Sequence, residues 1–281
     1  MDSAVFAAVL FAALCHASWN ALIKVGLNPL ASTTLISLGS GAVALAAIPF
    51  VEFPAAASWP WLIASVVIHI GYFGALIESY RTGDLGQVYP VARGSAPLMT
   101  AALATTFIGE KLNALGWAGI VALAAGVLLL SLRGGRDLTR LDTRAIGFAF
   151  LTALTICAYS VVDGVGGRLA GSPHAYSVWL FAGIAVAMIG YAEIRDRGAV
   201  HGALRSYWLR GLAGGGLQML SYGIAIWAMT VAPIAIIAAL RETSVLFGAV
   251  IAVVFLKEPL RALRVAAALM IVAGLAAIRL S

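Results

Sequence analysis

Residues 88–112 read VYPVARGSAPLMTAALATTFIGEKL, and residues 236–260 read IIAALRETSVLFGAVIAVVFLKEPL. A shift of 148 positions places Arg93 on Arg241 and Glu110 on Glu258, so an arginine and a glutamate stand 17 residues apart in both stretches. Coincident leucines and alanines mean little between apolar helices, whereas charged residues inside membrane segments are rare. The pattern therefore predicts a duplicated membrane unit with one buried arginine in each copy.

The composition is that of an integral membrane protein. Of the 281 residues, 62% are hydrophobic and 11% are charged, and the mean hydropathy is +0.99. A helix needs about 20 apolar residues to cross the hydrocarbon layer. Ten such stretches use most of the chain: 4–23, 31–50, 60–79, 87–108, 114–132, 145–162, 175–194, 207–228, 233–256 and 262–280. They are continuously apolar rather than alternating, which favours helices over the strands of a membrane barrel.

The predicted fold is an all-α integral membrane protein whose ten transmembrane helices form two five-helix repeats of inverted topology. Residues 1–132 form the first repeat, 133–144 a basic cytoplasmic linker and 145–281 the second repeat. Because each repeat has an odd number of spans, the second copy enters the membrane from the opposite side. Arg93 and Arg241 are then expected at mirrored depths.

The charge distribution predicts the orientation. A net charge of +6 and a pI near 9.6 are compatible with nucleic-acid binding, but the charges are placed as in a membrane protein. Thirteen arginines and lysines lie in or beside the odd-numbered loops, against three on the other side, namely Lys111, Arg168 and Arg279. The positive-inside rule then puts the odd loops in the cytoplasm and both termini outside. Residues 1–3 carry no basic side chain, so the first helix is expected to be retained rather than cleaved as a signal.

Polar and aromatic side chains within the spans define a candidate solute cavity. His16, Trp19 and Asn20 share one face of the first helix, and ionisable residues inside a membrane commonly mark solute paths or proton relays. The predicted cavity residues are His16, Trp19, Asn20, His69, Tyr72, Arg93, Thr155, Tyr159, Gln218, Tyr222, Arg241 and Glu242.

Several of these residues also allow a structural interpretation. Arg93 lies near the start of its helix, from where a long side chain can extend to the cytoplasmic surface. His69 can be hydrogen-bonded to a neighbouring helix without any further role. Adjacent residues such as Arg241 and Glu242 point about 100° apart on a helix, so at least one of the two needs another partner.

Motifs for other chemistries are lacking. GVGGRLAG at 164–171 has neither the preceding strand nor the spacing of a phosphate loop, and there is no HExxH, no GxSxG and no acidic metal cluster. The sequence thus predicts no enzyme activity, no cofactor and no metal. Cys15 and Cys157 are expected to be small buried hydrophobes.

The repeated motifs resemble those of the drug/metabolite transporter superfamily, specifically the ten-helix EamA-type carriers. The resemblance rests on YP at 89–90, ARG at 92–94, FIGEKL at 107–112 and FLKEPL at 255–260, with a glycine-bearing helix behind each repeat. It implies an inner-membrane secondary carrier of small metabolites, often an exporter of amino acids, with a central cavity and with exchange or proton coupling. It also implies structural roles for Glu110 and Glu258.

Together these observations predict a secondary transporter that moves an amino acid or another small anionic or zwitterionic solute across the inner membrane by alternating access, with export as one direction. Arginines at the cavity suit a carboxylate or phosphonate, and Glu242 or His69 is the first candidate for a coupling proton. The alternatives are a membrane-embedded enzyme and a carrier of lipophilic drugs within the same fold. The expected partners are the solute, the bilayer and no nucleic acid, and the chain is a monomer or a homodimer through the plain helices 5 and 10.

Overall fold

The computed structural model describes residues 1–22, 27–82, 85–131, 143–257 and 262–281, and every regular element in these ranges is helical. Short 3₁₀ turns, Ile48–Phe50 and Ala56–Ser58, join α2 to α3, and a π-helix, Ala104–Ile108, continues α4. The helices are α1 (Ser3–Leu22), α2 (Pro29–Ala47), α3 (Trp59–Thr82), α4 (Leu85–Leu103), α5 (Ala114–Ser131), α6 (Thr143–Leu169), α7 (Pro173–Val231), α8 (Ile234–Arg241), α9 (Ser244–Leu256) and α10 (Ala262–Leu280). Glu258 and most of the predicted linker 133–144 lie outside the described residues.

Seven helical stretches in the described ranges are long and apolar enough to cross a membrane. They are Ser3–Leu22, Pro29–Phe50, Ala56–Glu78, Thr143–Leu169, Pro173–Asp196, Ile234–Val254 and Ala262–Leu280, and Ala114–Leu130 forms a shorter apolar helix. The predicted all-helical membrane class is therefore confirmed. The full count of ten spans stays a prediction, because 87–108, 114–132 and 207–228 are not among the seven.

Two predicted spans lie within the single element α7. Its backbone leaves helical geometry at Asp196 (φ −168°, ψ 82°) and at Tyr207 (φ −131°, ψ 18°). The chain reverses between these points, since Ser177 on the first arm lies beside Gly223 on the second. The two arms of α7 thus correspond to the predicted spans 175–194 and 207–228.

The predicted span 233–256 is divided by a tight turn between α8 and α9. The N–H of Glu242 bonds to the carbonyl of Ala239 at 3.0 Å, and the N–H of Thr243 bonds to that of Leu240 at 3.1 Å. These three-residue bonds tighten the helix locally. The turn follows directly on Arg241, so both charged residues of this span lie at an irregular point of the backbone.

Small residues set the packing of the helices. α2 packs on α7, where Gly39 meets the backbone of Gly211, and α5 packs on α10, where Gly119 meets Ile278. Such residues let membrane helices approach closely. The glycine faces of α5 and α10 are thus engaged within one chain, and a dimer through these two helices stays a prediction. The glycines of GVGGRLAG are packing positions as well, with Gly164 against Ile234.

Glu110 holds several helix ends together. Its carboxylate accepts hydrogen bonds from the N–H groups of Ile234 at 2.8 Å and Ala235 at 3.2 Å, which caps α8. Arg168 donates to the same carboxylate at 2.9 Å and to the carbonyl of Met229 at 2.9 Å. A carboxylate at a helix N-terminus satisfies donors that have no partner within the helix. Glu110 therefore occupies the structural position that the family resemblance implies.

The two chain ends lie together. Arg279 donates to the carbonyl oxygen of Met1 and, at 2.6 Å, to the hydroxyl of Ser3. Asp2 caps α1, because its carboxylate accepts hydrogen bonds from the N–H groups of Ala4 and Val5. These hydrogen bonds lower the pKa of the Asp2 carboxyl below its ordinary value, since they stabilise the charged form. Both ends are thus on the same side of the molecule.

Left-handed backbone follows the π-helix at Gly109 (φ 75°), α6 at Gly171 (φ 76°) and α9 at Lys257 (φ 53°). This conformation costs a residue with a Cβ about 1–2 kcal/mol, and glycine avoids that cost. Lys257→Gly is therefore expected to raise the thermal unfolding midpoint in detergent, and Gly109→Ala is expected to lower it. Unchanged midpoints for both variants would contradict the assigned backbone.

Candidate functional site

A cavity of about 330 Å³ lies between the helices. It is lined by side chains from both predicted repeats. They are His16, Trp19, Asn20, Leu27, Pro29, Ser32, Thr33, Ile36, His69, Tyr72, Phe73, Leu76, Ile77, Ala92, Arg93, Thr152, Ile156, Tyr159, Phe181, Ile184, Gln218, Tyr222 and Arg241.

The structure brings ten of the twelve predicted cavity residues to this one space. The exceptions are Thr155 and Glu242. Thr155 bonds back to the carbonyl of Thr152 at 2.8 Å, and Thr152 faces the cavity in its place. Glu242 lies behind the wall, paired with Arg93. That these residues bind a solute stays a prediction.

One wall of the cavity is aromatic. Tyr159 stacks on His69 with ring centroids 4.4 Å apart, and it meets Tyr222 edge-on at 5.7 Å and Tyr72 edge-on at 5.6 Å. Phe181 packs against Tyr222 at 6.3 Å. The imidazole of His69 is fixed by a bond from Nδ1 to the carbonyl of Ser65 at 2.9 Å. This wall is rigid and mostly apolar, and it suits the apolar part of an organic solute.

Arg93 turns into the protein rather than towards the cytoplasmic surface. Its Nε lies 3.0 Å from Oε2 of Glu242, and its Nη2 donates to Ser244 at 3.1 Å and to Nε2 of His16 at 3.2 Å. Arg93 is 6% exposed and Glu242 is 3% exposed. The Nε–H is not aimed at Oε2, so these two atoms form an ion pair rather than an aligned hydrogen bond. The alternative in which Arg93 snorkels to the surface is therefore wrong.

Arg241 occupies a different environment from its counterpart Arg93. Its guanidinium lies 4.5 Å from the centre of the Tyr222 ring, and the Tyr159 hydroxyl lies beside it. Within the described residues no carboxylate forms an ion pair with Arg241. It is partly exposed and lines the cavity. Arg241 thus presents a positive charge to the cavity, whereas the charge of Arg93 is largely neutralised by Glu242.

Two polar atoms at the cavity are buried and have no hydrogen-bond partner among the described residues. They are Nε1 of Trp19, a donor, and Oε1 of Gln218, an acceptor. Trp19 is held edge-on against His16 at 5.1 Å. Leaving a buried polar atom without a partner costs about 1–3 kcal/mol. Both atoms are therefore available to a polar solute.

Asp163 follows the predicted span 145–162 and shares a helix face with Thr152, Thr155 and Tyr159, but it is not among the predicted cavity residues. α6 continues to Leu169, so Asp163 lies inside the helix with no exposed surface. Its Oδ1 accepts from the hydroxyl of Tyr176 at 2.9 Å and its Oδ2 from that of Tyr222 at 2.5 Å. A carboxylate within a long apolar helix is a signal that could have identified it. Phe73 and Phe181, by contrast, give no signal that separates a cavity wall from core.

The described ranges contain no group of three or more His, Cys, Asp and Glu side chains that could hold a metal ion. Cys15 and Cys157 are buried and free. The groups that face the cavity are guanidinium, imidazole, amide, indole and phenol. These groups recognise the charged and polar ends of small organic molecules.

Residues 3–132 match the family model described as "EamA-like transporter family". This half of the chain is an EamA-like transporter unit. The resemblance stated from the repeated motifs to EamA-type members of the drug/metabolite transporter superfamily is thereby confirmed. The family is one of transporters and not of enzymes.

Curated relatives match a shorter part of the chain. The "Spermidine export protein MdtI" of Klebsiella pneumoniae is 34% identical over 70 residues, which are 25% of this chain and 64% of the relative. An "Uncharacterized transporter in cobO 3'region" of a Sinorhizobium species is 40% identical over 62 residues, 22% of this chain and 40% of the relative. The chain thus spans less than two thirds of the length of these relatives.

A solved crystal structure of another protein is similar to the whole chain, and not only to residues 3–132. It superposes with a TM-score of 0.81 at 18% sequence identity and covers 100% of this chain and 99% of its own. At that identity the likeness shows the fold alone. The helical arrangement, including the second half beyond residue 132, is therefore one that a known protein adopts.

Proposed function

We propose that the chain is a secondary transporter that carries a small anionic or zwitterionic metabolite across the inner membrane by alternating access. Ten spans in two inverted five-helix repeats would form it. The observation that carries the proposal is the exposure of Arg241 to a central cavity in which no described carboxylate forms an ion pair with it. The match of residues 3–132 to the EamA-like transporter family supports the transporter class, and the whole-chain likeness to a solved structure supports the fold.

The repeat is supported by geometry that does not depend on the sequence match. The left-handed residues Gly109 and Lys257 stand 148 positions apart, the same shift that aligns Arg93 with Arg241. In addition, the later helices of each half pack on the first helix of the other half. α3 and α4 pack on α6, and the corresponding α7, α8 and α9 pack on α1, while α5 packs on α10. Adjacent chain ends agree with an even number of spans.

The cavity extends towards one end of the molecule, which supports alternating access. Its lining includes Leu27 and Pro29 before and at the start of α2, and Leu76 near the end of α3. At the opposite end Gly164 packs on Ile234, and the rings of Trp59 and Trp179 meet at 5.6 Å. With the orientation predicted from the basic loops, the open end faces the cytoplasm. The structure would then represent the inward-facing state of the carrier.

The polar groups of the cavity favour a solute with a carboxylate or a similar anionic group. Guanidinium binds such groups with two parallel hydrogen bonds, and the indole N–H of Trp19 offers a further donor. The Gln218 oxygen offers an acceptor that suits an ammonium group. The volume of about 330 Å³ lies at the small end of ligand pockets. An amino acid or a compact organic acid fits these features.

A polyamine is the competing solute class, because curated relatives are named spermidine exporters. Spermidine carries several positive charges at neutral pH, and the cavity of this chain already contains the positive charge of Arg241. Like charges in a site of low dielectric repel strongly. We therefore propose an anionic group rather than a polyamine as the feature recognised. Buried charged groups at the wall also disfavour a purely lipophilic drug.

The solute class is tested by uptake into proteoliposomes that contain the purified protein. Initial rates would be measured for labelled amino acids, organic acids, phosphonates, nucleosides and spermidine, with empty liposomes as the control. Saturable uptake of a compound with a carboxylate or phosphonate, and none of spermidine, is expected. Uptake of spermidine alone would contradict the proposed solute class.

A further inference from the structure

Like Glu242, Asp163 is a buried carboxylate, and it belongs to a hydrogen-bond network that reaches the cavity. Both of its oxygens accept hydrogen bonds from tyrosine hydroxyls, of Tyr176 at 2.9 Å and of Tyr222 at 2.5 Å. Tyr222 also lines the cavity and lies under the guanidinium of Arg241, 4.5 Å from its ring centre. One side chain therefore connects Asp163 to the proposed anion-binding arginine.

Asp163 differs from Glu242 in its partners. Glu242 lies 3.0 Å from the Arg93 guanidinium, so its negative charge is balanced directly. No arginine or lysine of the described chain forms an ion pair with Asp163, whose partners are hydroxyl groups and the nearby His69. An ionised carboxylate that is buried without a cation is costly, and binding a proton removes that cost. Of the two carboxylates, Asp163 is the one suited to gain and lose a proton.

The sum of the charges on the buried residues indicates when Asp163 would bind a proton. Arg93, Arg241, Asp163 and Glu242 sum to zero when both acids are ionised. An anionic group bound at Arg241 adds one negative charge next to Tyr222, whose hydroxyl is bound to Asp163, and this second negative charge disfavours the ionised form of Asp163. A proton on Asp163 restores the balance. The proton would come from a hydronium ion in the cavity: the Tyr222 hydroxyl transfers its own proton to Oδ2 and takes the proton of the hydronium ion, which leaves as neutral water.

We propose that Asp163 is the proton-binding residue of this carrier, and that it takes up one proton when the anionic group of the solute binds at Arg241 and releases it when the solute leaves. This rests on the proposed transport function, and it assigns the coupling proton to Asp163 instead of Glu242 or His69.

The surroundings of Asp163 are defined on each helix packed against α6. α3 contributes Ser65 and His69, with His69 Nδ1 already bonded to the Ser65 carbonyl, and α7 contributes Tyr176 and Tyr222. α8 contributes Arg241 across the Tyr222 ring, whereas Arg93 on α4 is paired with Glu242. On α6 itself, Arg168 is bound to Glu110.

The test compares wild-type protein with Asp163→Asn in proteoliposomes, using a transported anionic solute. Wild-type affinity for the solute is expected to rise about tenfold for each unit by which the pH falls, over the range in which a full proton is taken up. Asp163→Asn is uncharged and nearly isosteric, so it should keep solute exchange but lose both the pH dependence and accumulation driven by a pH gradient. Tyr176→Phe removes one hydroxyl without changing a charge and should retain both.

The outcomes separate this inference from the proposed function. Exchange whose pH dependence survives Asp163→Asn overturns the proton assignment while the transporter stands. Absence of exchange by wild-type protein with every solute overturns both. Should Asp163→Asn fail to fold, proton uptake on solute binding can be measured with wild-type protein in weakly buffered detergent. About one proton per bound solute is expected from the linkage, and no proton uptake overturns the inference.

Discussion

Replacing Arg241 with alanine is expected to reduce exchange of the solute by roughly a hundredfold or more, because a charged hydrogen bond contributes about 1.5–3 kcal/mol and two would be lost. The stability of the protein should change little. Within the described residues Arg241 forms no ion pair, and its contact with Tyr222 is a cation–π interaction, which contributes about 1–2 kcal/mol when desolvated. The measurements are initial exchange rates and the thermal unfolding midpoint of the same preparation.

Two variants control for this effect. Arg241→Lys keeps the positive charge but loses the paired donors, so an intermediate rate is expected. Arg210 also lies over an aromatic ring, 5.5 Å from the centre of Tyr207, but it is exposed and distant from the cavity lining. Arg210→Ala should leave exchange unchanged. Wild-type exchange by Arg241→Ala would remove Arg241 from the binding site.

Removal of the Glu242 carboxylate is expected to destabilise the protein strongly. In Glu242→Ala the buried Arg93 guanidinium loses its carboxylate partner and keeps its bonds to Ser244 and His16. Breaking one partner of a buried ion pair costs about 3–5 kcal/mol, because a charge is left uncompensated. A large fall in the unfolding midpoint and in the yield of folded protein in detergent should follow.

The double variant Arg93→Met, Glu242→Met separates charge burial from loss of packing. It removes both charges and retains long apolar side chains, so it should recover most of the stability lost in Glu242→Ala. The ion pair between Arg195 and Glu78 provides a matched control, since its side chains are 43% and 28% exposed. Glu78→Gln should cost less than about 1 kcal/mol. Equal destabilisation by Glu78→Gln and Glu242→Ala would contradict the buried-pair interpretation.

The helical class and most of the cavity could be predicted from the sequence because both depend on short-range rules. Runs of about 20 apolar residues identify spans, and the spacing of His16, Trp19 and Asn20 places them on one face. The duplicated arginine and glutamate predict the repeat, which stays a prediction. The family resemblance implies a structural role for Glu110. The structure shows the Glu110 carboxylate capping α8.

The remaining features depend on contacts between distant parts of the chain. The pairing of Arg93 with Glu242 joins α4 to the turn after α8, and nothing in either segment indicates it. The sequence therefore predicts equivalent roles for Arg93 and Arg241, whereas Arg93 is paired with Glu242 and Arg241 faces the cavity without an ion pair among the described residues. Asp163 lies just beyond the predicted span 145–162, because the apolar run stops there, whereas α6 continues for seven more residues to Leu169.

Counterflow of the transported solute tests the carrier mechanism most directly. Proteoliposomes would be loaded with unlabelled solute, and entry of labelled solute would be compared with entry into liposomes loaded with buffer. A carrier whose central site opens alternately to each side predicts faster, saturable entry with transient accumulation of label when unlabelled solute is inside. Entry that neither saturates nor responds to internal solute would contradict alternating access around Arg241.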